Sequence, residues 1–75
     1  MIIYKVYKDY GPVGGSIWRT KCMGHFQNIQ LALQCVEGIL LANPDVKFSK
    51  SEDENKWVSP DLSNPDIVIE EIKVV

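Results

Sequence analysis

One segment, Ile29 to Ala42, is apolar around most of a helix, and it stands in a 75-residue chain whose other segments read as strands. Stepping about 100° per residue, Ile29, Leu33, Val36 and Leu40 fall in a narrow arc, with Phe26 and Ala32 beside it. That arc is a core stripe for packing on a sheet. Leu31, Cys35, Gly38 and Ala42 form a second stripe on roughly the opposite side, and only Gln27, Gln30, Gln34 and Glu37 make a clearly polar sector. A sheet covers one side of a helix, so the second stripe predicts contact with another chain: small residues spaced i, i+4, i+7 and i+11 suit close helix approach in a two-fold homodimer. The competing reading is a cover made by this chain itself, from a curled sheet or the 59–65 loop.

The flanking residues set the helix ends. Asn28 is a natural N-cap, because its side-chain oxygen can accept from a free backbone N–H. Pro44 disfavours helical geometry at Asn43, so the helix stops near Ala42. Around it, alternation and β-branched or aromatic residues predict strands at Ile2–Asp9, Ser16–Met23, Val46–Lys50, Lys56–Val58 and Asp66–Val75. Gly-Pro and Gly-Gly punctuate a loop over 10–16, and Gly24 to Gln27 reads as the connection into the helix. The last strand breaks phase: Ile67 and Ile69 oppose Ile72 and Val74 unless Glu70-Glu71 forms a bulge. Without a bulge that strand is central and demands cover on both sides. The expected fold is one α+β domain over 1–75, β-β-α-β-β-β, with a single helix on an antiparallel sheet of four to five short strands.

Charge bounds the function. The chain carries 8 Lys+Arg and 10 Asp+Glu, a formal net charge of −2, which gives no global case for nucleic-acid binding. Residues 1–50 are net +3 and residues 51–75 net −5, so a basic and an acidic side are expected if the fold keeps the halves apart. Lys5, Tyr7, Lys8, Arg19 and Lys21 with Trp18 would suit a phosphate backbone if they shared a face; ordinary lysine decoration of a sheet is the favoured reading. Glu52-Asp53-Glu54 at a hairpin tip, with Trp57 and Asp61 nearby, predicts a partner-binding surface that docks a basic groove on another protein.

Chemistry is sparse. Cys22-x-x-His25, with Cys35, offers at most three metal ligands where a structural zinc site takes four, and Cys35 reads as a small hydrophobe on its helix, so no metal and no cofactor are expected. The single histidine limits nucleophilic arrangements, adjacent strand residues Glu70 and Glu71 diverge, and no phosphate loop, nucleophile elbow or zinc-protease motif is present. The expectation is a protein that is not an enzyme. Two cysteines are few for a disulfide scaffold, and Met1 runs straight into Ile2-Ile3-Tyr4-Lys5 without a signal peptide or membrane span. Cytoplasmic location with reduced thiols follows as the expectation.

A strand opening at Met1, one helix, the acidic Glu52-Asp53-Glu54 tip and the missing catalytic set together resemble the layout of small phage-encoded anti-defence proteins of the anti-CRISPR type. The resemblance implies stoichiometric inhibition of a host defence effector, often at a surface meant for nucleic acid. The alternatives are a nucleic-acid-binding accessory protein using the N-terminal hairpin, and a small ligand-binding homo-oligomer with its pocket near the helix or the 11–15 loop.

Overall fold

The first and last strands of the chain lie side by side. In the computed structural model, which describes residues 1–13, 17–52, 55–60 and 64–74, with backbone alone at 12, 13 and 17–19, β1 (Ile2–Val13) pairs antiparallel with both β2 (Ile17–Phe26) and β5 (Asp66–Lys73). β3 (Ser49–Lys50) and β4 (Lys56–Val58) complete a five-stranded antiparallel sheet in the order β2-β1-β5-β4-β3. The single helix α1 (Ile29–Ala42) packs on it. This is the expected α+β arrangement, with β5 inserted between β1 and the β3–β4 hairpin.

Both helix ends follow from local chemistry. Asn28 is the N-cap, its Oδ1 accepting from the Leu31 N–H at 2.9 Å. At the other end Asn43 does more than precede a proline. Its backbone N–H donates to the Leu40 carbonyl at 3.2 Å, and its side-chain amide donates to the Ile39 carbonyl at 2.8 Å, satisfying two of the carbonyls a helix leaves free.

The helix is rotated from the expected phase. Ala32, Val36 and Ile39 are buried, with Ile29, Cys35 and Leu40 packed against the core. Leu33, assigned above to the core stripe, is 38% exposed. The buried arc is displaced by about 60° at helical spacing, so Ile39 replaces Leu33 as a core residue. The sequence misleads because leucine recurs on every side of this helix. From the sheet, Val6, Ile67 and Ile69 complete the buried cluster, flanked by Tyr4, Met23, Phe26, Phe48 and Trp57.

Register settles the phase of β5. It pairs with β1 without interruption from Ile2↔Lys73 to Asp9↔Asp66, so Glu70-Glu71 forms no bulge. Ile67 and Ile69 face the helix, and Ile72 faces the other side. The irregularities lie instead in the β1–β2 hairpin, between Val6 and Tyr7 and between Asp9 and Gly11. Near the second, Gly11 takes φ +74°, and its N–H donates to Asp9 Oδ1 at 2.9 Å. This left-handed residue lets pairing continue to Val13↔Ile17, where the sequence suggested a loop from Tyr10. Similarly β2 runs to Phe26 rather than ending at Met23, and the strand expected from Val46 begins at Ser49, although Phe48 still packs against the core.

Candidate functional site

Cross-strand partners in an antiparallel sheet share a face, so the register sorts every described strand residue. Tyr4, Val6 and Lys8 of β1 lie on the helix side with Glu71, Ile69 and Ile67 of β5. The other side carries Ile3 opposite Ile72, Lys5 opposite Glu70, and Tyr7 opposite Val68, with Lys56 next to Val68 on β4. Among the described residues no helix covers this side, and the side chains of Ile3, Lys5, Tyr7, Val68 and Ile72 on it are half-buried. The Lys5 ammonium sits 5.4 Å from the Tyr7 ring centroid, within cation–π range. Lys56 Nζ lies 3.9 Å from Asp66 Oδ2, whose other oxygen accepts from the Ser59 N–H at 2.8 Å. The face is thus a mixed one: isoleucine, valine and tyrosine rows crossed by charges of both signs.

This arrangement overturns the expected separation of charge. Basic β1 and acidic β5 are neighbours, so Lys5 faces Glu70 rather than a lysine field. The basic hairpin residues are divided as well. Lys21 is opposite Lys8 on the helix side, while Lys5 and Tyr7 lie on the open side. The side chains of Trp18 and Arg19 are outside the described residues.

On β2, Val6 pairs with Gly24 and Tyr7 with Cys22, leaving Met23 as the extra residue of a bulge. Met23 packs toward the core. In a regular strand residues three apart point to opposite faces; the bulge puts Cys22 and His25 on the same open face, with Cys22 Sγ 3.9 Å from His25 Nδ1. Both side chains are exposed. Glycine suits this bend: its φ is +158°, and a β-carbon there would lie 3.0 Å from the Phe26 ring. Cys35 takes no part in this pair. It sits on the helix, against the core on the other side of the sheet, and burial pushes its thiol above the usual range.

The remaining expected positions are dispersed. Leu31 is 44% exposed, and Gly38 and Ala42 are exposed beside it, whereas Cys35 turns partly into the core. The second stripe therefore survives as a flank of three residues. Leu41, on the polar side of the helix, is the most exposed of the helix leucines. Glu52 is exposed at its hairpin tip, and Asp53, Glu54 and Asp61 lie outside the described residues. Trp57 is half-buried against the core, with the Lys50 ammonium 5.4 Å from its ring centroid, so it serves packing as much as surface. Sequence reasoning passed over Ile3 and Val68 as site residues, and it flagged Ile72 only as a phase break; their shared face appears once β1 and β5 are paired.

Comparison with protein-family models, with curated proteins and with solved structures finds no match to this chain. No helix among the described residues is long and apolar enough to cross a membrane.

Proposed function

We propose that this protein works by stoichiometric contact with a protein partner, docking through the sheet face opposite its helix and performing no chemistry of its own. The observation that carries this reading is the central strand β5. It is apolar toward the helix through Ile67 and Ile69 and apolar away from it through Val68 and Ile72, yet α1 covers only the first side. Apolar rows only half-buried at the middle of a sheet suit a partner that removes the rest of their surface from water. The charges name the kind of partner. Lys5 and Lys56 are matched by Glu70 and Asp66 on the same face, so a phosphate backbone gains little there. A folded protein with an apolar patch rimmed by both signs fits better. Exposed Glu52, at the far hairpin, extends the contact with an acidic rim. The layout resemblance to anti-defence proteins supports a defence effector as that partner, inhibited by occupancy of its surface.

The test places a photo-crosslinking amino acid, p-benzoylphenylalanine, at position 3 or 72 on the open face, and at position 41 on the outer side of the helix. Irradiation in extract from cells that express the effector yields one discrete adduct from positions 3 and 72, and none from 41. Adducts from 41 alone, equal adducts from all three positions, or none from 3 and 72 refute the reading.

A further inference from the structure

We infer that Cys22 and His25 form half of a zinc site that a second copy of this chain completes across the free edge of β2. The geometry begins with the bulge. Cys22 Sγ and His25 Nδ1 are 3.9 Å apart, exposed, and on one face. Two ligands of a tetrahedral zinc ion, at Zn–S about 2.3 Å and Zn–N about 2.0–2.1 Å, stand about 3.6 Å from each other. Rotation of two exposed side chains closes that difference.

One chain supplies only this pair. Among the described residues no three His, Cys, Asp or Glu side chains gather into a metal-binding group, and Cys35 is across the sheet. The missing ligands must come from outside, and β2 is an edge strand of the sheet, with no further strand among the described residues on its other side. An unpaired edge is a template for another strand.

The second copy is singled out by a symmetry that the bulge creates. Along β2, Lys21 faces the helix side, Cys22 the open side, Met23 and Gly24 the helix side, His25 the open side and Phe26 the helix side. This order reads the same from either end about the Met23–Gly24 bond. Two copies of β2 laid antiparallel around that point therefore put like faces opposite like faces. Cys22 of each copy falls opposite His25 of the other, and Lys21 opposite Phe26 rather than another lysine. An unbulged strand would place Cys22 and His25 on opposite faces in that register. Directly opposed residues have β-carbons about 4.5–5.5 Å apart, so two cysteines and two histidines converge on one side of the joined sheet. That is a tetrahedral S2N2 set, the pattern characteristic of zinc.

The charges balance. Zinc displaces one proton from each of two thiols, giving a neutral centre of Zn2+, two thiolates and two neutral imidazoles, and releasing two protons to solvent. The centre lies at the β2 edge of the same open face, beside Lys5 and Tyr7, but it rests on the Cys22–His25 geometry and does not depend on the docking role of that face.

The test uses the full chain, reduced and stripped of metal, titrated with zinc chloride and followed by light scattering behind size exclusion. The mass doubles, with saturation at one zinc per two chains and two protons released per ion. Cobalt(II) in place of zinc shows thiolate-to-metal charge-transfer absorption. Cys22→Ser and His25→Ala each lose the doubling while their circular dichroism is unchanged; Cys35→Ser retains it. A chain that stays monomeric with zinc overturns the inference. So does a zinc-dependent dimer that persists in Cys22→Ser, or binding of one zinc per chain without a change of mass.

Discussion

The rotated phase of α1 makes a prediction that separates structure from pattern. Leu33 lies in the apolar arc that helical spacing suggests, and Ile39 lies outside it, yet Ile39 is 9% exposed and Leu33 is 38% exposed. Ile39→Ala removes a side chain from the cluster formed with Val6, Ala32, Val36, Ile67 and Ile69, and changes of this kind cost about 2–5 kcal/mol. Its position at the rim of the cluster places the cost near 3 kcal/mol. Leu33→Ala forfeits less transfer energy, and alanine returns a few tenths through better helix propensity, leaving about 0.5–1 kcal/mol. The gap of about 2 kcal/mol is roughly 30-fold in the folding equilibrium. Domains of this length have stabilities of about 4–11 kcal/mol, so both variants stay folded. In urea, with a slope near 1 kcal/mol per molar, the midpoint falls by about 3 M for Ile39→Ala and by less than about 1 M for Leu33→Ala. Equal shifts, or a larger one for Leu33→Ala, refute the helix orientation and every facial assignment that depends on it.

Four further outcomes follow from local geometry. Gly11→Ala costs about 1 kcal/mol through its φ of +74° alone, since the added methyl meets nothing within 4 Å; Gly11→Asn recovers part of that in the same urea titration. Asn28→Ala costs about 1 kcal/mol by releasing the Leu31 N–H, whereas Asn28→Ser holds the midpoint nearly unchanged. Gly24→Ala pushes on the Phe26 ring, so it destabilises the wild-type background by about 1 kcal/mol or more, and less when Phe26 is already alanine; a double-mutant cycle measures that coupling. Iodoacetamide at mildly alkaline pH, read by mass spectrometry, modifies Cys22 before Cys35, because Cys35 is partly buried and its thiol is held above the usual range. The sign for stability follows. The unfolded chain ionises Cys35 first, so this thiol lowers stability as pH rises past the ordinary thiol range, and has no effect below it.

Much of the fold is legible in the sequence because it is encoded locally. Asn28 and Asn43-Pro44 mark both ends of the helix, and Lys56-Trp57-Val58 announces its strand by composition. What escapes reading depends on partners distant in the chain. Leu31, Leu33 and Leu41 are indistinguishable from core leucines until the sheet selects one side of the helix. Gly11 and Gly24 look like chain breakers, yet each allows β1 and β2 to continue pairing, one through a left-handed residue and the other through a close aromatic contact. The Cys22-x-x-His25 spacing is visible at once, but the sequence reads His25 as part of the connection into the helix, and only the extension of β2 to Phe26 with its bulge at Met23 puts both side chains on one face of the sheet. Asn43 illustrates the same limit on a smaller scale. Pro44 explains why the helix stops, while the bond from the Asn43 amide to the Ile39 carbonyl requires a rotamer that no spacing rule reveals.

The phase break in β5 carries more weight than its length suggests. A bulge at Glu70-Glu71 would have turned Ile72 toward the helix and left Val68 and Tyr7 as a smaller apolar patch on the outer face. The uninterrupted register from Ile2↔Lys73 to Asp9↔Asp66 instead sets Ile72 beside Ile3, as well as Val68 beside Tyr7, on the side away from α1. Those residues are only half-buried, so they contribute to the chain's own stability less than fully buried side chains would. Folding alone therefore gives weak reason for them to be isoleucine, valine and tyrosine rather than threonine or lysine. The physical demand for apolar side chains at these positions is met in full only when a second surface closes over them, which ties the proposed contact to the strand that holds the sheet together.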